Sequence, residues 1–170
     1  MKRILLVALA IGCSRPDAWS EFRSETGKFR VEMPGAPEIG SQTTVTLPAP
    51  TESHTFLVKR GVRGSFQVSY YELAMQLAAG TIQPAEKLDC SSGLGGVWTK
   101  SAEHVEPLGA LQGYAIISTA PKSDSLPDGG ASEDRCFVAG TRMYHLIAVG
   151  PNTPEQQRDA ARFLSSFRLL

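Results

Sequence analysis

Apolar and polar residues alternate in successive short stretches of this chain, and proline or glycine stops each one, which commits the chain to β-sheet before any other feature is weighed. Phe29, Val31 and Met33 alternate with Arg30 and Glu32 and end at Pro34 and Gly35. Thr43 to Leu47 alternates more weakly and is broken by Pro48 and Pro50, after which Phe56 and Val58 share one side of the stretch from Thr55 to Lys59. Gly61 and Gly64 flank the next turn, and Phe66, Val68 and Tyr70 repeat the period of two. Three or four consecutive antiparallel strands are predicted.

Further strands are predicted at Val105–Leu108, Tyr114–Ala120, Arg135–Ala139 and Met143–Val149, the last two joined around Gly140-Thr141. Tyr114 to Ile117 and Leu146 to Val149 are apolar at successive positions, so both are expected in the middle of the sheet. Pro84-Ala85-Glu86-Lys87-Leu88 carries a first-turn proline and early acid, predicting a first helix near residue 84 that Ser91, Ser92, Gly93, Gly95 and Gly96 cut short. The C-terminal helix is clearer. Thr153 caps it, Pro154 takes the first position, Gln156 completes a Thr-x-x-Gln capping box, and Ala160, Phe163, Leu164, Phe167 and Leu170 form its apolar stripe. The polar stretch from Pro121 to Asp134 is expected to be a solvated loop. The fold class is α+β, a central antiparallel sheet with helices packed on it. At 170 residues, the chain has room for one such domain. With 17 basic and 17 acidic residues, it offers no overall positive field for nucleic acid.

The first thirteen residues carry an address. Met1-Lys2-Arg3 precedes the apolar run Ile4 to Gly12, the order of an export signal. As a helix this run would rise about 14 Å, too short for a hydrocarbon core of about 30 Å. A buried N-terminal core helix is the plainer alternative, but it must accept two cations at one end and Pro16 beyond the other. Leu9-Ala10-Ile11-Gly12-Cys13 resembles the bacterial lipobox, whose cysteine receives diacylglycerol before the signal is cut away; Ala10 stands where that pattern prefers Leu. The resemblance implies a signal peptide over 1–12, acylated Cys13 with palmitate-type chains, a tether over 13–21, and one domain over 22–170. Ser14 after the cysteine, by resemblance to enteric lipoproteins, implies the outer membrane. A rival cut after Ala10 would give a soluble secreted protein, at the expense of an unusually short apolar run.

F-x-S-x-x-G-K-F-x-V-x-M-P-G-x-P from Phe22, R-M-Y-H-L-I-A-V-G-P from Arg142 and D-A-x-R-F-L-x-S-F-R-L from Asp159 resemble a group of exported, largely uncharacterised bacterial proteins with a PsbP-like fold. The resemblance covers about residues 20 to 170 and is thinnest over 72 to 112. It implies a central antiparallel sheet between helices, an α-β-α sandwich, and several relatives are lipoproteins. Plant members hold ions beside the manganese cluster of photosystem II. No ion-binding motif of theirs maps onto this sequence, so the fold carries no activity across.

Chemistry-bearing residues are sparse. With Cys13 assigned to lipid, Cys90 and Cys136 form an even pair in an oxidising compartment, either bridged or standing as two buried thiols. His54, His104 and His145 lack the spacing of a zinc site, and His145 reads as a hydrogen-bonded sheet histidine. Ser91 and Ser92 lack a nucleophile elbow, and Gly93-Leu94-Gly95-Gly96-Val97-Trp98 is a turn rather than a dinucleotide fingerprint. Tyr70, Tyr71, Trp98 and Tyr144 either line an apolar groove or pack as ordinary sheet and core residues. The expectation is a non-enzymatic binding or assembly module on the periplasmic side of the cell envelope. It would be held to the bilayer by Cys13, with a protein partner in the envelope, no cofactor, no metal and no nucleic acid. Its oligomeric state is left open. An envelope enzyme with a scattered site and a soluble secreted binding protein are the alternatives.

Overall fold

The computed structural model of the protein describes residues 18–46, 49–73, 90 and 94–170. In chain order these form β1 (Trp19–Ser24), β2 (Phe29–Pro34), β3 (Glu38–Thr46), β4 (Ala49–Lys59), a single 3-10 turn (Gly61–Arg63), β5 (Ser65–Glu72), β6 (Thr99–Leu108), β7 (Leu111–Ala120), β8 (Gly130–Ala139), β9 (Arg142–Pro151), α1 (Pro154–Ser166) and β10 (Arg168–Leu169). The seven-stranded sheet runs β3-β4-β5-β9-β8-β7-β6, and a small sheet runs β1-β2-β10. Every pairing is antiparallel.

Alternation decides the layering. Phe56 lies opposite Val68, Val68 opposite Leu146, and Tyr70 opposite Tyr144, which lies opposite Phe137. Directly opposed residues share a face, so these side chains define face A. The small sheet and α1 cover this face, contributing Phe29, Val31 and Met33 from β2 and Phe163, Leu164 and Phe167 from the helical segment to one continuous core. Phe29 is its hub, with ring centroids 5.4 Å from Phe56 and 5.5 Å from Phe167.

Face B carries a second, smaller cluster. Cys136 of β8 is disulfide-bonded to Cys90, with Cα atoms 5.7 Å apart, and Ile116, Met143, Tyr71 and Tyr114 pack around the bridge.

Several expectations are corrected. The protein is more β-rich than a balanced sandwich: α1 is the one α-helix among the described residues, and the first helix predicted near residue 84 lies outside them. Strand β1 begins three residues before the expected domain start at Phe22, because the Trp19 ring packs edge-on against Phe66 at 5.7 Å and beneath Arg162 at 4.6 Å. Its two aromatic residues, Trp19 and Phe22, stand three apart and so show no period of two. Of the two doubly apolar segments, β9 is central but β7 is next to the edge. There the second cluster covers Ile116 from face B, while Ala115 is fully buried on face A.

Thr43–Thr46 and Thr55–Lys59 belong to the antiparallel partners β3 and β4, within which Pro50 lies opposite Val45, and Leu47 lies outside the described residues. The loop expected up to Asp134 ends at Gly129, and β8 starts at Gly130 with Ser132 and Asp134 buried.

The capping box is half made. Gln156 N donates to Thr153 Oγ1 at 3.3 Å, but the Thr153 N–H is already taken by the Pro151 carbonyl at 2.8 Å. The Gln156 side chain instead lies buried with both amide atoms unpaired among the described residues. Leu170 leaves the apolar stripe because the helix stops at Ser166, and it is 44% exposed.

Candidate functional site

A cleft of about 590 Å³ opens on face B at the end of the sheet where β4 turns into β5. Leu57 of β4, Ser65 and Gln67 of β5 and Val149 of β9 supply its floor, and Trp98 and Leu126 line it from outside the sheet. Period-two geometry puts the floor residues here: Leu57 stands between Phe56 and Val58, which point into the face A core, so its own side chain must project the other way. Leu57 pairs with Gln67, Gln67 with Ile147 and Ser65 with Val149, one register across three strands.

Two glycines make the cleft's shape. Gly64 has φ +101°, and a Cβ there would meet the Val149 carbonyl oxygen at 2.2 Å, so the chain can close the end of the cleft only with glycine. Gly130 lets the Trp98 indole lie directly on the β8 backbone, where a Cβ would stand 2.5 Å from the ring. Leu126 is held over the cleft by a tight turn, in which Ser123 N donates to Leu126 O at 3.0 Å and Gly129 N donates to Leu126 O at 2.8 Å. Gly130→Ala is therefore expected to lift the indole off the strand. A red-shifted and more quenchable tryptophan emission, excited selectively in a Trp19→Phe background so that Trp98 is the sole tryptophan, checks this; an unchanged spectrum contradicts it.

Among the described lining residues Lys59 is the one charged side chain, and its Nζ is tied to Glu38 Oε2 at 2.9 Å on the exposed rim. Gln67 Nε2 donates to Ser69 Oγ at 2.8 Å, and Ser69 and Thr55 hydroxyls are 3.2 Å apart, so a polar strip runs from the floor along the sheet. These groups can hold an apolar or amphipathic ligand and fix its polar end. They do not pair an acid with a base.

The four aromatic residues of the expected groove are not brought together. Tyr70 and Tyr144 are buried on face A. Tyr71 packs on face B beside the disulfide, with its hydroxyl 2.7 Å from Met143 Sδ, and Trp98 lines the cleft. Adjacent residues of a strand face opposite ways, which separates Tyr70 from Tyr71. Leu57, Gln67 and Leu126 were missed. The usable signals were an apolar residue on the supposedly wet side of β4 and a lone apolar residue in a polar insertion.

Cys90 and Cys136 belong to the second cluster and do not line the cleft, and Cys13 lies outside the described residues. The three histidines are dispersed. His54 stacks on Tyr70 at 4.7 Å, and His104 Nε2 lies 3.3 Å from Glu106 on the edge strand. His145 Nε2 lies 3.3 Å from Asp134 Oδ1, whose other oxygen accepts from Ser132 Oγ at 2.9 Å. No group of metal-ligating side chains occurs among the described residues.

A second hollow of about 370 Å³ sits by the β8–β9 turn. There Arg142 spans Glu72 at 2.5 Å, the Thr26 carbonyl at 2.9 Å and the face of Tyr70 at 4.6 Å. Partial burial works to raise the Glu72 carboxyl, but the hydrogen bonds from Arg142 and Thr141 and the charge of Arg142 outweigh it and hold the group below its ordinary range. This arrangement clamps β5 to the β8–β9 hairpin and to the turn before β2.

No family model matches the sequence, and no curated protein matches it. Among solved structures, the chain is similar to the cyanobacterial PsbP (CyanoP) of Synechocystis sp. PCC 6803. That match has a TM-score of 0.54 and 8% identity, and covers 94% of this chain and 96% of that one. It is also similar to a protein from Bacteroides thetaiotaomicron VPI-5482, with a TM-score of 0.48 and 10% identity over 88% of this chain; this chain spans 48% of that protein's length. The first likeness shows a PsbP-like fold and nothing of activity.

Proposed function

We propose that this protein is a membrane-anchored envelope lipoprotein acting as a non-enzymatic binding or assembly module, with the face B cleft as its binding surface. The carrying observation is the composition of that cleft: Leu57 and Val149 beside the neutral polar Ser65 and Gln67 on the floor, an indole wall, and one rim cation already paired. Such a lining suits an apolar or amphipathic group, whether from a small molecule or from a partner's side chain. The anchoring half rests on the sequence, in which Lys2 and Arg3 precede the apolar run Ile4 to Gly12 and Cys13. An enzyme is the second reading. The cluster of buried Ser132 and Asp134 with half-buried His145 favours it, but none of those three residues lines the cleft.

The binding half is tested with the amphipathic fluorophore 1-anilinonaphthalene-8-sulfonate and the full chain. Saturable binding that Leu57→Asp reduces roughly tenfold, with circular dichroism unchanged, is the expected result, since a floor carboxylate adds a charge that the probe must desolvate. Binding unaffected by Leu57→Asp contradicts the cleft as the site.

A further inference from the structure

We propose that the outer edge of β3 is a self-association surface, on which a second copy of this chain adds its own β3 antiparallel across a two-fold axis. The seven-stranded sheet has two edges, and they differ. Strand β6 is guarded: its register shifts between Lys100 and Ala102, Pro107 cannot donate to a ladder, and Lys100, Glu103 and Glu106 charge it. These are the devices by which natural sheets discourage edge pairing.

Strand β3 has neither a register shift nor a proline, and its one charge, Glu38, stands at its first residue. Its nine residues, Glu-Ile-Gly-Ser-Gln-Thr-Thr-Val-Thr, pair in unbroken register with β4 on one side, and among the described residues no strand pairs on the other. Residues 38 to 43 are all exposed, and Ile39 is 70% exposed, a large apolar side chain on the edge strand.

The sequence of β3 suits its own copy. A two-fold axis perpendicular to the sheet keeps each face on its own side, so opposed positions must differ by an even number. Centring the axis on Gln42, the middle residue, sets Glu38 against Thr46, Ile39 against Val45, Gly40 against Thr44 and Ser41 against Thr43. The β-branched Ile39 thus meets the Val45 position, and Glu38, the only charge in the strand, meets a threonine position rather than another carboxylate. Nine paired residues form about nine main-chain hydrogen bonds, comparable to the ten or so of a typical protein interface. Because this axis preserves faces, both copies keep β1 on face A.

Oxidative cross-linking of the membrane-extracted full chain tests this. Gln42→Cys places a thiol on the axis, and Val105→Cys, 53% exposed on the opposite edge, is the control. The expected result is a covalent dimer for Gln42→Cys alone, and a dimeric protein mass by light scattering for the unmodified chain. Gln42→Lys, which opposes two cations at the axis, should weaken the dimer roughly tenfold or more. Ile39→Lys is a second probe of the same edge should Gln42→Lys alter the fold. A monomeric mass, or cross-linking of Gln42→Cys no greater than that of Val105→Cys, overturns the proposal. So does a β3 edge that pairs only with a different protein.

Discussion

A chain lacking residues 163–170 is expected to show no cooperative unfolding transition. The deletion removes Phe163 and Phe167, both fully buried, together with Leu164 and all of β10. Each large side chain contributes about 2 kcal/mol by burial, so the three together approach the 5–15 kcal/mol or so that separates a folded domain from its unfolded chain. The loss is also topological. Leu169 pairs with Phe29 and Arg168 with Arg30, so β10 holds the small sheet at the core's hub.

A single substitution gives the graded form of the same result. Phe163 meets the Phe66 ring edge-on at 5.4 Å, and Phe163→Ala should lower stability by about 3–5 kcal/mol. Urea titrations followed by circular dichroism check both. A truncated chain that unfolds cooperatively at the full-length midpoint contradicts the packing described.

Loss of the disulfide should produce the second largest effect. Cys90 and Cys136 are separated by 46 residues, and opening a loop of that length releases about 4 kcal/mol of chain entropy into the unfolded state. The bridge also fixes Cys90 over β8, where it completes the second cluster with Ile116 and Met143. The Cys90→Ala/Cys136→Ala double variant, or the wild type unfolded in reductant, should therefore lose most of a small domain's margin. Guanidinium midpoints with and without reductant measure it. If both thiols react fully with a thiol reagent in unfolded, unreduced protein, the bridge is absent and the expectation fails.

Much of this fold could be read from residue patterns, because core and solvent impose a period of two on a half-buried strand. Phe29-Arg30-Val31-Glu32-Met33 and Phe66-Gln67-Val68-Ser69-Tyr70 show it directly. Thr153 and Pro154 marked the start of α1 for an equally local reason, since an N-cap and a first-turn proline act within one turn.

What escaped depends on contacts between distant residues. Strand β1 is defined by Trp19 on Phe66 and Phe22 on Phe56, and nothing nearby in sequence announces either contact. The place of β7 beside the edge depends on strand order, which two apolar runs cannot distinguish. The cleft was illegible for the same reason: its floor comes from three strands and its wall from residues next to β6 and β8. Leu57 left a trace as the middle of three apolar residues in succession, and Leu126 as an apolar residue within a polar insertion. The tyrosines misled because a count of aromatic residues ignores which face each one occupies.

The anchor carries the rest of the account, and its physics is simple. One acyl chain binds a bilayer marginally and two or more bind it stably. If residues 1–12 are removed as proposed, 15 basic and 17 acidic residues remain, so no net positive charge would assist. Strand β1 begins at Trp19, so a lipid on Cys13, six residues before it, would hold the folded body within about 20 Å of the lipid surface. Intact mass spectrometry of the protein extracted from membranes tests this most directly. The account predicts a chain that starts at Cys13 and carries diacylglycerol on its sulfur. A chain recovered from the aqueous fraction with that thiol free, whether it retains the leader or begins at Ile11, contradicts it.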